Sequence, residues 1–180
     1  DYKISIDDAT NSVLITVIIK EGKPGFIKKI SLEGFTKEEC EILDELIFTK
    51  DYCFFTSWIT NEGTLRHEVL KHDEMTILNY IQNEGYLDAR IETKIEDAKE
   101  PGRIIVRFIL NRGNKYRVGN VVIAGGDAVI DAAKLSAIAH IHPGSVYAPE
   151  QVRVATKALY DAFGSKGYVD AQVIPTQKRV

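Results

Sequence analysis

Cysteine is scarce in this 180-residue chain, where Cys40 and Cys53 are the only two. They are not spaced as CxxC, and no second pair completes a four-ligand zinc site. Two readings of them stay open: unpaired small core hydrophobes, or a disulfide in an oxidising compartment. Long apolar runs are also missing, since none approaches the roughly 20 residues that a membrane-spanning helix needs. The opening DYKISIDD lacks the basic-then-apolar layout of a signal peptide. It begins directly in strand-like sequence, so the chain is expected to be a fragment of something longer. An excess of positive charge is absent as well: 23 Lys+Arg stand against 26 Asp+Glu, a net charge of -3, with no runs of either sign. That balance carries no electrostatic footprint for a nucleic-acid backbone or an anionic lipid surface.

The residue patterns of catalysis are missing too. No Ser or Cys sits in a nucleophile elbow and no Walker loop precedes a helix. His67 and His72 lie five apart, about 140° round a helix, so they do not share a face as a ligand pair would. His140 and His142 flank a turn with no carboxylate or thiolate beside them. The adjacent acids Asp7-Asp8, Asp73-Glu74 and Glu96-Asp97 read as solvated charge rather than acid/base pairs, because neighbours on a strand point to opposite faces. The chain is read as a non-enzyme with no cofactor and no metal.

What is present is a repeat. Residues 13–34, VLITVIIKEGKPGFIKKISLEG, fall without a gap on residues 104–125, IIVRFILNRGNKYRVGNVVIAG, at an offset of 104 − 13 = 91. Gly22 lands on Gly113 and Gly34 on Gly125, and both copies alternate like strands. A second match, NEGYLDARI at 83–91 with SKGYVDAQV at 165–173, has an offset of 165 − 83 = 82, so the second copy is 91 − 82 = 9 residues shorter in between. Internal repeats of this kind set the architecture.

One copy is complete. Residues 27–32 read as a strand, and Thr36 with Glu39 as a capping box that starts a helix whose apolar stripe continues through Leu43, Leu46 and Ile47. A long connection, 50–63, contains Trp58. A second helix is predicted over 64–84, ended by Gly85 in the left-handed cap position. Residues 87–96 then alternate Leu87, Ala89, Ile91 and Thr93 against Asp88, Arg90, Glu92 and Lys94, the pattern of a charged edge strand. Residues 104–110 are almost continuously apolar, which suits a strand flanked on both sides. The second copy predicts a strand at 118–123, helices at 127–139 and from Pro149, and a strand at 169–174, then stops before any counterpart of 104–110. The fold class is α+β, built of tandem β-α-α-β-β repeats, each a three-stranded mixed sheet with two helices on one face. The expected divisions are 1–20, the last hairpin of a preceding repeat; 21–112, a complete repeat; and 113–180, a repeat lacking its last strand. Gly34, Gly85, Tyr86, Gly125, Gly167 and Tyr168 are expected to be structural, the tyrosines as packing anchors. Asp88 and Asp170 either cap local backbone groups or are solvated.

GKPG at 22–25 matches the GxxG of KH domains, which clamp a nucleic-acid backbone between helices, but here it joins two strands and reads as a turn. A KH-like nucleic-acid binder is thus a disfavoured alternative, and nucleic acid is not an expected partner.

Taken in order, several motifs give the chain its resemblance to the POTRA (polypeptide-transport-associated) domains of BamA-type outer-membrane assembly factors. They are an aliphatic strand between Gly22 and Gly34 followed by Phe35, Trp58 ahead of LKHD at 70–73, LNY at 78–80 with Gly85-Tyr86, and HPGSVY at 142–147 ahead of a helix ending at Gly167-Tyr168. The resemblance covers essentially the whole chain, and the Trp58 stretch looks most like a middle domain of a tandem array. It implies a periplasmic location tethered to the outer membrane by the protein's own C-terminal barrel. It also implies unfolded outer-membrane proteins as clients and accessory periplasmic lipoproteins as partners. A two-partner secretion transporter or a division protein would use similar domains. The client-binding edge is expected at Leu87, Asp88, Ala89, Arg90, Ile91, Glu92, Thr93 and Lys94, with Val169, Gln172 and Val173 in the second copy, through pairing of an extended client with free backbone groups. Because 113–180 lacks a third strand and 13–20 is an orphan one, strand-exchanged self-association is a further expectation.

Overall fold

A computed structural model describes residues 2–7, 12–17, 25–51 and 63–178. The expectations for Trp58, Cys53 and most of the 50–63 connection and of the 22–25 turn lie outside these residues. Among the described residues the order is β1 (Tyr2–Asp7), β2 (Ser12–Val17), β3 (Phe26–Glu33), α1 (Lys37–Leu46), α2 (His67–Asn83), β4 (Arg90–Asp97), β5 (Arg103–Asn111), α3 (Ala132–Ala139) and α4 (Pro149–Gly164).

β3, β5 and β4 form a mixed sheet in that spatial order, with β5 parallel to β3 and antiparallel to β4. The strand with the most continuous apolar run is therefore the central one. Alternate residues of β5, Ile104, Val106, Phe108 and Leu110, are buried against Leu43 of α1, Ile47 just after it, and Leu70, Ile77 and Ile81 of α2. Phe108 is fully buried, and truncating such a side chain to Ala costs about 3–5 kcal/mol. On the opposite face Arg107 ties all three strands together, donating to Glu33 of β3 at 2.7 Å and to Glu96 of β4 at 3.1 Å.

The capping box forms as predicted: Glu39 N–H donates to the Thr36 hydroxyl and Thr36 N–H donates to the Glu39 carboxylate. α2 starts three residues later than periodicity suggests, because the preceding backbone is used elsewhere. Thr64 bridges Phe26, Leu65 N–H donates to Gly25 O at 3.0 Å, and Ile27 N–H donates to Gly63 O at 2.7 Å. Asp73 is not solvated charge; it is fully buried and accepts from the N–H groups of Phe48 and Thr49 at 2.8 and 2.7 Å, clamping the chain that leaves α1.

β1 and β2 pair as an antiparallel hairpin, with Tyr2 opposite Val17 and Ile6 opposite Val13. Adding 91 to each number gives Thr93 opposite Phe108 and Asp97 opposite Ile104, the register of β4 with β5. The two hairpins are thus built on one plan, shifted by the sequence offset.

The second copy departs from expectation in its strands. Residues 118–123 and 169–174 are not strands; among the described residues no strand pairing is formed there beyond an isolated bridge between Arg117 and Val146. The sheet order gives the reason. Among the described residues β3 and β4 are not neighbours, and each pairs with β5, so two edge segments do not pair with each other directly. Val122 is 80% exposed, and Val169 and Ile174 are exposed as well. α3 also starts five residues after Asp127: Val129 and Ile130 N–H groups turn back onto Gly126 O, and Asp131 caps the helix by accepting from Ala133 N–H at 2.9 Å. Helices α3 and α4 still close a small core of Ile130, Leu135, Ala139, Ala155 and Leu159.

Candidate functional site

Among the described residues β4 is a terminal strand with a single neighbour, β5. It begins at Arg90, not at Leu87. After Gly85 the chain turns, with Ala89 N–H donating to Tyr86 O at 3.0 Å, so Leu87, Asp88 and Ala89 precede the strand; Ala89 is buried in the core. Within the strand the expected alternation holds over its first half: Ile91 and Thr93 are half-buried, while Arg90, Glu92 and Lys94 are exposed. Thr93 hydroxyl donates to Glu74 of α2 at 3.3 Å, which anchors the buried face, and Lys94 pairs with Glu92 at 3.2 Å on the open face. Chemically this is an eight-residue edge carrying charges of both signs, a form that resists self-pairing yet leaves backbone donors and acceptors along one side. Val169, Gln172 and Val173 do not extend it; they belong to the unpaired 169–174 segment, where Val173 packs on the small second core.

The glycine-tyrosine corner is where the two copies meet. Gly85 adopts φ +99°, and a Cβ there would lie 2.7 Å from Val146 Cγ1 and 3.1 Å from Tyr116 O, so only glycine permits the approach. Tyr116 N–H donates to Gly85 O at 2.8 Å, Tyr116 hydroxyl donates to Asp88 Oδ2 at 2.5 Å, and Glu150 N–H at the start of α4 donates to Asn83 Oδ1 at 3.0 Å. The Tyr86 ring packs on the core beneath two cations, Arg112 at 5.3 Å and Lys115 at 5.2 Å from its centroid. Asp88 is therefore half-buried rather than solvated, and its bond from Tyr116 joins the copies. Gly34 has φ +86° and stands where a Cβ would be 2.8 Å from Leu110 O, while Gly125, its counterpart, has nothing within 4 Å.

Arg112, which sequence reasoning passed over, holds this corner to α1. It donates to Gly34 O at 2.9 and 3.2 Å and to both oxygens of Glu39. Those bonds hold the Glu39 carboxyl below its ordinary value of 4.5 and raise the guanidinium. The fork needs partners from 73 residues away, and only the strand after which Arg112 falls hints at it. Among the described residues no group of His, Cys, Asp and Glu could hold a metal ion, and no helix is long and apolar enough to cross a membrane.

The POTRA family model, described as a surface antigen variable number repeat, matches residues 26–113 and again 116–180. The chain belongs to the POTRA family. The BamA outer-membrane protein assembly factor of Nitratidesulfovibrio vulgaris is 28% identical over 176 residues, covering 96% of this chain and 22% of that protein. The BamA of Neisseria meningitidis is 25% identical over 167 residues, 92% of this chain and 21% of that one. The chain thus spans about a fifth of the length of these relatives. In fold it is similar to POTRA domains 3–5 of Haemophilus influenzae BamA, with TM-score 0.54, 18% identity, and 91% of this chain and 60% of that one covered. The Haemophilus ducreyi BamA lacking POTRA domains 1–3 gives TM-score 0.57 at 20% identity, over 76% of this chain and 24% of that one. The two POTRA units share the same short pairing ahead of the second helix: Phe26 bridges Thr64 in one and Arg117 bridges Val146 in the other.

Proposed function

We propose that the chain is a periplasmic POTRA module of an outer-membrane protein assembly machine, and that it captures unfolded outer-membrane proteins by adding an extended client segment to the edge of β4. The observation that carries this reading is the terminal position of β4, whose one neighbour is β5 and whose charged residues alternate along it. Barrel precursors are rich in alternating apolar and polar residues, and main-chain pairing binds such segments without demanding a particular sequence. The proposed edge runs from Arg90 through Ile91, Glu92, Thr93 and Lys94 to Asp97. Val169, Gln172 and Val173 supply a second edge once a central strand lies beside them. The module boundaries in this reading are 1–20, 21–112 and 113–180, with β1 and β2 as the closing hairpin of a preceding unit, which the shared register supports. Accessory periplasmic lipoproteins and a C-terminal membrane barrel that tethers the array complete the reading, in line with the assembly-factor names of the relatives.

The test is an amide NMR titration with a peptide of alternating hydrophobicity taken from an outer-membrane barrel strand. Shifts concentrated on 90–97 are expected, and N-methylation of alternate peptide residues on the pairing side should abolish them. An unmoved β4 at millimolar peptide would overturn the capture role.

A further inference from the structure

A three-stranded sheet has two edges, and the second edge of this one is β3. Its outer side is not bare. Phe26 pairs with Arg103 of β5 on one side and bridges Thr64 on the other. Two main-chain bonds frame that bridge: Ile27 N–H donates to Gly63 O at 2.7 Å, and Leu65 N–H donates to Gly25 O at 3.0 Å. Residues 63–65 thus lie along the start of β3 as a strap. The second unit builds the same strap around its Arg117–Val146 bridge, where Val118 N–H donates to Ser145 O at 2.9 Å and Tyr147 N–H to Tyr116 O at 3.1 Å. The positions correspond by the repeat offsets, since 25–27 plus 91 gives 116–118 and 63–65 plus 82 gives 145–147. None of these residues is the same in the two units. What the units share here is a pair of main-chain bonds, not a side-chain contact.

We propose that the strap is a stop against strand addition: it closes the β3 side of the sheet, so that the unit takes an extended partner on its β4 side alone. Main-chain bonds on an edge strand occupy the groups with which another chain would pair. Immediately beyond the strap, Ile27 stands opposite Ile104 and Lys29 opposite Ile105, so Lys28 is an extra residue. Such a bulge breaks the even spacing of outward amides that an added strand needs. It also moves Ile30 into the place after Ile27, and both side chains lie on the core face. Lost hydration raises the Asp51 carboxyl above its ordinary value, and a hydrogen bond from Ile30 N–H opposes that rise. Strap, bulge and carboxylate together cover β3 from Phe26 to Ile30. They leave Ser31 to Glu33, a shorter stretch than the roughly five residues of an ordinary strand. Because the stop works through the backbone, it excludes a client segment and a second copy of the chain alike. The inference concerns β3 and stands whether or not β4 captures clients.

The experiment removes one bond of the strap. In Leu65→Pro the ring deletes the donating N–H, while Thr64 keeps the extended conformation that precedes a proline. Replacing the Leu65 amide by an ester deletes the same N–H and keeps the leucine side chain, so it serves if the proline variant does not fold. Amide spectra outside 25–33 and 63–65 establish that each variant is folded. The probe is a peptide of alternating hydrophobicity from an outer-membrane barrel strand, at millimolar concentration. Amides of 26–33 are expected to stay unmoved in the parent chain and to shift in the folded variants, with new protection from exchange over 26–30. Shifts at 26–33 in the parent chain would overturn the proposal, because that edge would already be open. An unmoved β3 in the folded ester variant would overturn it too, leaving the strap as the lead-in to α2. Capture at β4 is read separately, from 90–97 in the parent chain, so the two readings fail independently.

Discussion

At the scale of single residues, the corner depends on groups whose partners are remote in sequence. Arg112 is the clearest case, since one guanidinium satisfies the Gly34 carbonyl, both oxygens of Glu39 and the face of Tyr86. Both side chains of this ion pair are largely shielded from water. Arg112→Ala should therefore cost about 2 kcal/mol in urea unfolding at neutral pH. The pH dependence has a definite sign. The carboxyl is held below 4.5 in the folded protein, so its contribution is fully present above the unfolded value and is lost as pH falls through the lower, folded one. The gap between the parent chain and Arg112→Ala should accordingly narrow below about pH 4.5, and a gap that stays constant into acid would show that the pair contributes nothing. Asp73 illustrates why such roles are hard to see in sequence: next to Glu74 it reads as surface charge, and only the returning chain at Phe48 and Thr49 makes it a buried acceptor.

At the scale of elements, local signals were legible and pairing signals were not. The capping box at Thr36 and Glu39, Pro149 at the start of α4, and the central position of β5 all follow from patterns within one segment. The expected strands at 118–123 and 169–174 carry the same local pattern as β3 and β4, and yet they do not pair, because strand formation depends on the neighbour as much as on the segment. The starts of α2 and α3 moved for a related reason, as the backbone before them is drawn into bridges and turns. The candidate edge was legible in its alternation but not in its first residues, since nothing local marks Asp88 as the partner of Tyr116. One element-level prediction concerns the charges of β4. Glu92→Ile with Lys94→Ile should leave the fold intact and make the chain self-associate in light scattering, because an uncharged edge pairs with its own kind. A monomeric double variant would mean that the edge is blocked by something other than charge.

At the scale of the whole molecule, the second unit exposes apolar residues in two unpaired segments, Val121 and Val122 in one and Val169 and Ile174 in the other. In the first unit the strand that pairs with both flanking segments is β5, RIIVRFILN. A synthetic peptide of residues 103–111 should therefore bind the chain, raise its strand content by circular dichroism and protect amides at 118–123 and 169–174. The same unpaired segments predict strand-exchanged oligomers at high concentration, suppressed by that peptide. A chain that stays monomeric and unmoved by the peptide would sink both.

The placement of β5 also sets an order in time. It is last in its unit along the chain and central in the sheet, so neither flanking strand can be stitched in until it arrives. A chain emerging N-terminus first thus exposes two waiting strands and a preformed helical layer, then closes each unit in a single late step. For the unit of 26–113, closure is thus a latch thrown by its final residues.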